Sequence, residues 1–118
     1  MEESQDTKNL KEIMPVLIKL QSDKGRQYGR SYCKMGETSI YFNVARKYDR
    51  IENIMKRALE DGVEKTLHGG DSSTATETFL DTVADIANYS LLWVGWIKEN
   101  YPDEWERFVK VNNLDQLW

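Results

Sequence analysis

Four stretches of the chain repeat their apolar residues at helical spacing, and none alternates long enough to specify a strand. In residues 7–21, Leu10, Ile13, Met14, Leu17, Ile18 and Leu20 recur three and four apart, and Asp6 or Thr7 can cap the start. Pro15 falls inside that pattern and predicts a kink or a start near it. Gly25 and Gly29 then end the periodicity, so residues 22–37 read as a loop with three glycines, two tyrosines and four basic residues.

Residues 38–61 give an amphipathic helix with Ile40, Val44, Tyr48, Ile51, Met55 and Leu59 on its stripe and Gly62 just past its end. Residues 63–73 read as a polar loop around His68-Gly69-Gly70-Asp71. The longest predicted helix covers residues 74–100, opened by Thr74 and Glu77 at capping-box spacing. Its apolar positions occupy much of the circumference, which places it centrally. Asn100-Tyr101-Pro102 stops it, and Pro102 can begin a short last helix using Trp105, Phe108 and Val109. The expectation is therefore an all-α fold: three long helices plus a short C-terminal one, forming a single domain over residues 1–118.

Length and composition agree. A chain of 118 residues, 40% hydrophobic and 31% charged, is one globular core's worth. It contains no run of 18 apolar residues, which argues against a membrane span. The polar, acidic start resembles no secretory or transit signal, and a lone Cys33 can form no internal disulfide, so a cytoplasmic location is expected.

Charge changes the picture more. The formal net charge is −4, yet residues 24–57 hold nine basic side chains against three acidic ones, +6 locally, leaving −10 for the rest. A basic third in an acidic protein points to a local anion site and away from a sequence-specific nucleic-acid surface. Within it, Arg46 and Arg50 are neighbours on one helical face, off the apolar stripe. On the long helix Glu77, Asp81 and Asp85 fall in line, with Asn88 three further on. Such a row is solvent-exposed, paired with Arg46, Lys47 and Arg50 across a helix interface, or able to bind magnesium through Asp81 and Asp85.

The spacing Lys24-x3-Tyr28-Gly29, then Lys47-x2-Arg50, then Asp81-Thr82-x2-Asp85-x-Ala87-Asn88-Tyr89 resembles the nucleotide modification associated domain 1 family over residues 8–98. These are small bacterial and phage proteins related to the all-α, MazG-like nucleoside triphosphate pyrophosphatases. The resemblance implies an oligomerising helical bundle that binds magnesium through E-x-x-E on one helix and E-x-x-D on a later one. This chain departs from both motifs: Thr82 stands three before Asp85, and Asn43-Val44-Ala45-Arg46 stands where a carboxylate pair belongs. Metal-assisted cleavage of a phosphoanhydride needs those negative ligands.

The sequence thus favours holding a nucleotide over cutting it, without a cofactor. The expected role is a sponge, plausible for a phage protein in the host cytoplasm, that sequesters nucleotide immune signals such as ADP-ribose derivatives or cyclic nucleotides. Lys24, Arg26, Arg30, Arg46, Lys47 and Arg50 would grip phosphates, arginine's fork suiting bidentate contacts. Tyr28, Tyr32 or Trp93 would stack on a base, and Asp81, Asp85 or Asn88 would accept ribose or base hydrogen bonds. The alternatives are a divergent magnesium-dependent pyrophosphohydrolase using Glu77, Asp81, Asp85 and perhaps Asp49 or Glu52, and a protein-interaction module built on the tryptophan-rich C-terminal segment. A broadly apolar central helix and four tryptophans also lead us to expect a homo-oligomer, a dimer or higher.

Overall fold

A long antiparallel helix pair forms the centre of the chain. The computed structural model describes residues 2–68 and 78–114. Its helices are α1 (Gln5–Tyr28), α2 (Glu37–Asp61), α3 (Val63–His68), α4 (Phe79–Asn100) and α5 (Pro102–Val111), with one 3₁₀ turn at Ser31–Cys33. No strand occurs among the described residues. The all-α reading holds, as do the three long helices and the short last one; α3 is an added single turn or so.

α2 and α4 run side by side in opposite directions, and three bonds fix their register. Trp93 Nε1 donates to Glu37 Oε2 at 2.7 Å. Lys47 Nζ meets Asp85 Oδ2 at 2.9 Å. Arg50 Nε donates to Thr82 Oγ1 at 3.1 Å. α3 packs on the end of α2, and its first bond runs from Thr66 N to Gly62 O. α1 lies against α4, and α5 folds back where Lys98 Nζ stands 5.7 Å from the Trp105 ring.

The boundaries correct three expectations. Residues 22–28 continue α1 instead of opening a loop, because Gly25 costs a helix only about 1 kcal/mol. Lys24 Nζ, on that continuing turn, donates to Asp85 Oδ1 at 2.8 Å. Gly29 at φ 63° then ends the helix, its N–H returning to Gly25 O. Residues 63–68 are helical where a loop is expected. The start of α4 lies at Phe79, and the Thr74–Glu77 capping box falls outside the described residues. The box that forms is Thr78 with Asp81: Asp81 N donates to Thr78 Oγ1 at 3.1 Å and Thr78 N to Asp81 Oδ2 at 2.9 Å. Thr78→Ala is expected to lower stability by about 1 kcal/mol, a fall of about 4 °C in the thermal midpoint. An unchanged midpoint would show that the cap adds nothing.

The interior is sparse. Among the described residues the buried apolar side chains are Leu17, Ile40 and Ala58, and beside them lie Lys47, Thr82 and Asn88, which are equally buried. Polar groups make up half of this centre. Buried polar groups need partners, and those partners define the site.

Candidate functional site

Asp85 is the junction of three helices. From α4 its Oδ1 accepts from Lys24 Nζ of α1 at 2.8 Å, and its Oδ2 meets Lys47 Nζ of α2 at 2.9 Å. One turn earlier on α4, Thr82 is wholly buried; its hydroxyl accepts from Arg50 and donates to Thr78 O at 3.3 Å. One turn later, buried Asn88 holds an amide nitrogen with no hydrogen-bond partner among the described residues. Thr82, Asp85 and Asn88 therefore run along α4 as a polar seam three residues apart. Burial pushes the Asp85 carboxyl up, and the hydrogen bonds from Lys24 and Lys47 more than reverse that, leaving it below its ordinary value of 3.8.

On the other side of Lys47 a groove of about 440 Å³ follows α2. Arg46, Arg50, Asn53 and Arg57 line it, with Lys47, Asp49 and Ile54. Positions 46, 50, 53 and 57 are spaced four, three and four apart, so one face of α2 presents three guanidiniums in a row. Arg46 Nη2 donates to Asn43 Oδ1 at 3.3 Å. The volume lies within the range of small-molecule sites.

The ten residues expected at the site divide into three groups. Lys24, Lys47, Arg50, Asp85 and Asn88 come together in the seam, and Arg46 joins Lys47 and Arg50 in the groove. Asp81 serves the α4 cap; bonds from the Thr78 backbone and hydroxyl hold its carboxyl below the ordinary value. Arg26, Tyr28 and Arg30 lie apart from the groove. Arg26 pairs with Asp23 on its own helix at 2.5 Å, Tyr28 is exposed, and Arg30 reaches Glu99 at 2.8 Å and 3.0 Å and Tyr32 at 3.2 Å. Trp93 is held by Glu37 across the helix pair.

Asp81 and Asp85 do not suit a divalent cation. Asp81 gives its Oδ2 to the helix cap, and both oxygens of Asp85 meet ammonium groups. Among the described residues no three Asp, Glu, His or Cys side chains converge. The residues that sequence reasoning missed are Thr82, Asn53 and Arg57. Arg57 was legible, since it continues the Arg46–Arg50 face at helical spacing.

The chain is 32% identical over 122 aligned residues to the Gene 30 protein of Bacillus phage SP01, a match covering 94% of this chain and 54% of that protein. The relative is a phage protein. The chain thus spans about half the length of the curated relative it matches. No protein-family model matches the chain, the MazG-like ones included, and no solved structure matches it. A phage relative is compatible with the phage origin that the resemblance implies.

Proposed function

We propose that the chain binds a small phosphorylated nucleotide in the α2 groove and holds it intact, as a phage sponge for nucleotide immune signals would. The observation that carries this reading is the row Arg46, Arg50 and Arg57 facing one groove of about 440 Å³. Guanidinium forks recognise phosphate oxygens bidentately, and a row of them matches a di- or oligophosphate better than a single charge would. Asn53 adds an amide for a sugar or base edge. Holding without cleavage is supported by the carboxylates: Asp85 is tied to two lysines and Asp81 to a helix cap, so neither is placed to assemble a metal-activated water.

The test uses calorimetry with ADP-ribose, a cyclic dinucleotide and a nucleoside triphosphate, with and without magnesium. Saturable binding of at least one, recovered chemically unchanged after heat denaturation, is the expected result. Arg46→Ala with Arg57→Ala should weaken that binding by about tenfold or more while helicity is unchanged, because both are exposed and charged hydrogen bonds are worth about 1.5–3 kcal/mol each. Release of pyrophosphate or a nucleoside monophosphate would establish the pyrophosphohydrolase instead. Undiminished affinity in the double variant would place the ligand elsewhere, and no binding to any of the three would remove the proposal.

A further inference from the structure

We propose that Phe42 is the base platform of the α2 site: a planar base stacks on its ring while phosphates of the same ligand lie along Arg46 and Arg50. This rests on the reading of the groove as a nucleotide site, and it names the side chain that tells a nucleotide from a bare phosphate chain. The rings expected to stack lie elsewhere. Trp93 is tied to Glu37 between α2 and α4, and Tyr32 takes a bond from Arg30 at 3.2 Å. Tyr28 ends α1 and is not part of the lining. Among the described lining residues none is aromatic, so a base held there needs a ring from just outside the groove.

Helical spacing selects Phe42. Residues three or four apart on a helix are neighbours on one face, whereas those one or two apart are not. Positions 42, 46 and 50 follow each other at intervals of four, so Phe42 stands one turn before Arg46 on the face that carries the guanidiniums. It adjoins the first residue of the lining without belonging to it. The other exposed rings of α2, Tyr41 and Tyr48, are seven apart and share a different face, Tyr48 being two residues from both Arg46 and Arg50.

The surroundings of the ring suit stacking. Phe42 is 63% exposed, and Tyr41 meets it edge-on, with centroids 5.4 Å apart and planes at 63°. A base lying on the ring would take its apolar surface out of water, and every base has a π-face to offer. One helical turn, about 6 Å for four residues, separates Phe42 from Arg46, and the same step leads on to Arg50. A ribose bridges a gap of that order between a base and its first phosphate. Asp49, three beyond Arg46 in the lining, carries a carboxylate that accepts hydrogen bonds, as ribose hydroxyls require. Base, sugar and phosphates then follow one another along α2 from the Phe42 end.

Calorimetry with ATP, ADP-ribose, a cyclic dinucleotide and inorganic tripolyphosphate, which has charge and no base, tests this. Phe42→Ala and Phe42→Leu should each weaken the nucleotides that the wild type binds by about tenfold and leave tripolyphosphate unchanged. Phe42→Trp should bind those nucleotides at least as tightly as the wild type. Tyr48→Ala should match the wild type throughout. Helicity should be unchanged in all four, since both positions are exposed. Nucleotide affinity undiminished in Phe42→Ala overturns the proposal. So does an equal loss for tripolyphosphate, a Phe42→Leu chain that binds like the wild type, or a loss in Tyr48→Ala as large as that in Phe42→Ala. The groove and the platform fail differently. Undiminished affinity in Arg46→Ala with Arg57→Ala, or a wild type that binds none of the four, removes both. A loss in that double variant without one in Phe42→Ala removes the platform alone.

Discussion

An Asp85→Ala chain is expected to lose about 3–5 kcal/mol of folding stability, the range for removing one member of a buried ion pair. The two lysines divide that cost unequally. The Lys47 side chain is 11% exposed and cannot turn to water, whereas that of Lys24 is 42% exposed and can. Lys24→Met should therefore cost about 1 kcal/mol or less. Lys47→Met should cost considerably more, since Asp85 is itself largely buried, and replacing Asp85 and Lys47 together by leucine should recover part of the loss. The same pair responds to acid. Because the folded carboxyl lies below its ordinary 3.8, its contribution is fully present above that value and disappears as pH falls through the folded value. Chemical denaturation of the wild type and the three single variants, repeated from neutral pH down to about pH 3, measures all of this. Equal losses for Lys24→Met and Lys47→Met would mean that burial does not govern the junction. An Asp85→Ala chain that kept its wild-type stability would remove the junction as a source of stability.

Ile40→Ala should cost about 3 kcal/mol, in the range for a large apolar side chain removed from a fully enclosed position. Ile40 is completely inaccessible, one turn beyond Glu37, where α2 is pinned to Trp93 of α4. With so few buried apolar side chains there is little else to close around the void. A domain of this size has about 5–15 kcal/mol in total, so the variant should show a visibly populated unfolded fraction on modest heating. Thermal unfolding by circular dichroism reads the effect. A loss under about 1 kcal/mol would indicate that the α2–α4 seam rests on its polar bonds and that Ile40 is replaceable packing.

How far the sequence could be read depends on what each feature needed. α2 was legible to within a residue, because a six-member apolar stripe and Gly62 mark it locally. The end of α1 was not: glycine at position 25 reads as a stop, and the tie of that turn to the rest of the fold, Lys24 to Asp85, spans 61 residues of sequence. Lys47 with Asp85 was foreseeable as a cross-helix pair, while Lys24 joining them required the tertiary arrangement. Arg46 and Arg50 were legible as one face from spacing alone. Arg26 and Arg30 were drawn into the expected site by their charge, whereas Asp23 and Glu99 occupy them in the fold. Charge counting finds a basic region. It does not reveal which cations the protein's own carboxylates already hold.

Pro15 gives α1 a mechanical character. The helix passes through it unbroken, yet proline has no N–H to return to the carbonyl of Lys11, so one rung of the ladder is missing at mid-length. Beyond that rung, toward Tyr28, the helix is moored to α4 by Lys24, with Arg30 just past its end moored to Glu99. Before it, among the described residues, the polar bonds of Ser4, Gln5 and Lys11 stay within the segment itself. α1 is thus one continuous helix whose polar ties to the rest of the fold, among the described residues, lie on the Tyr28 side of the missing rung.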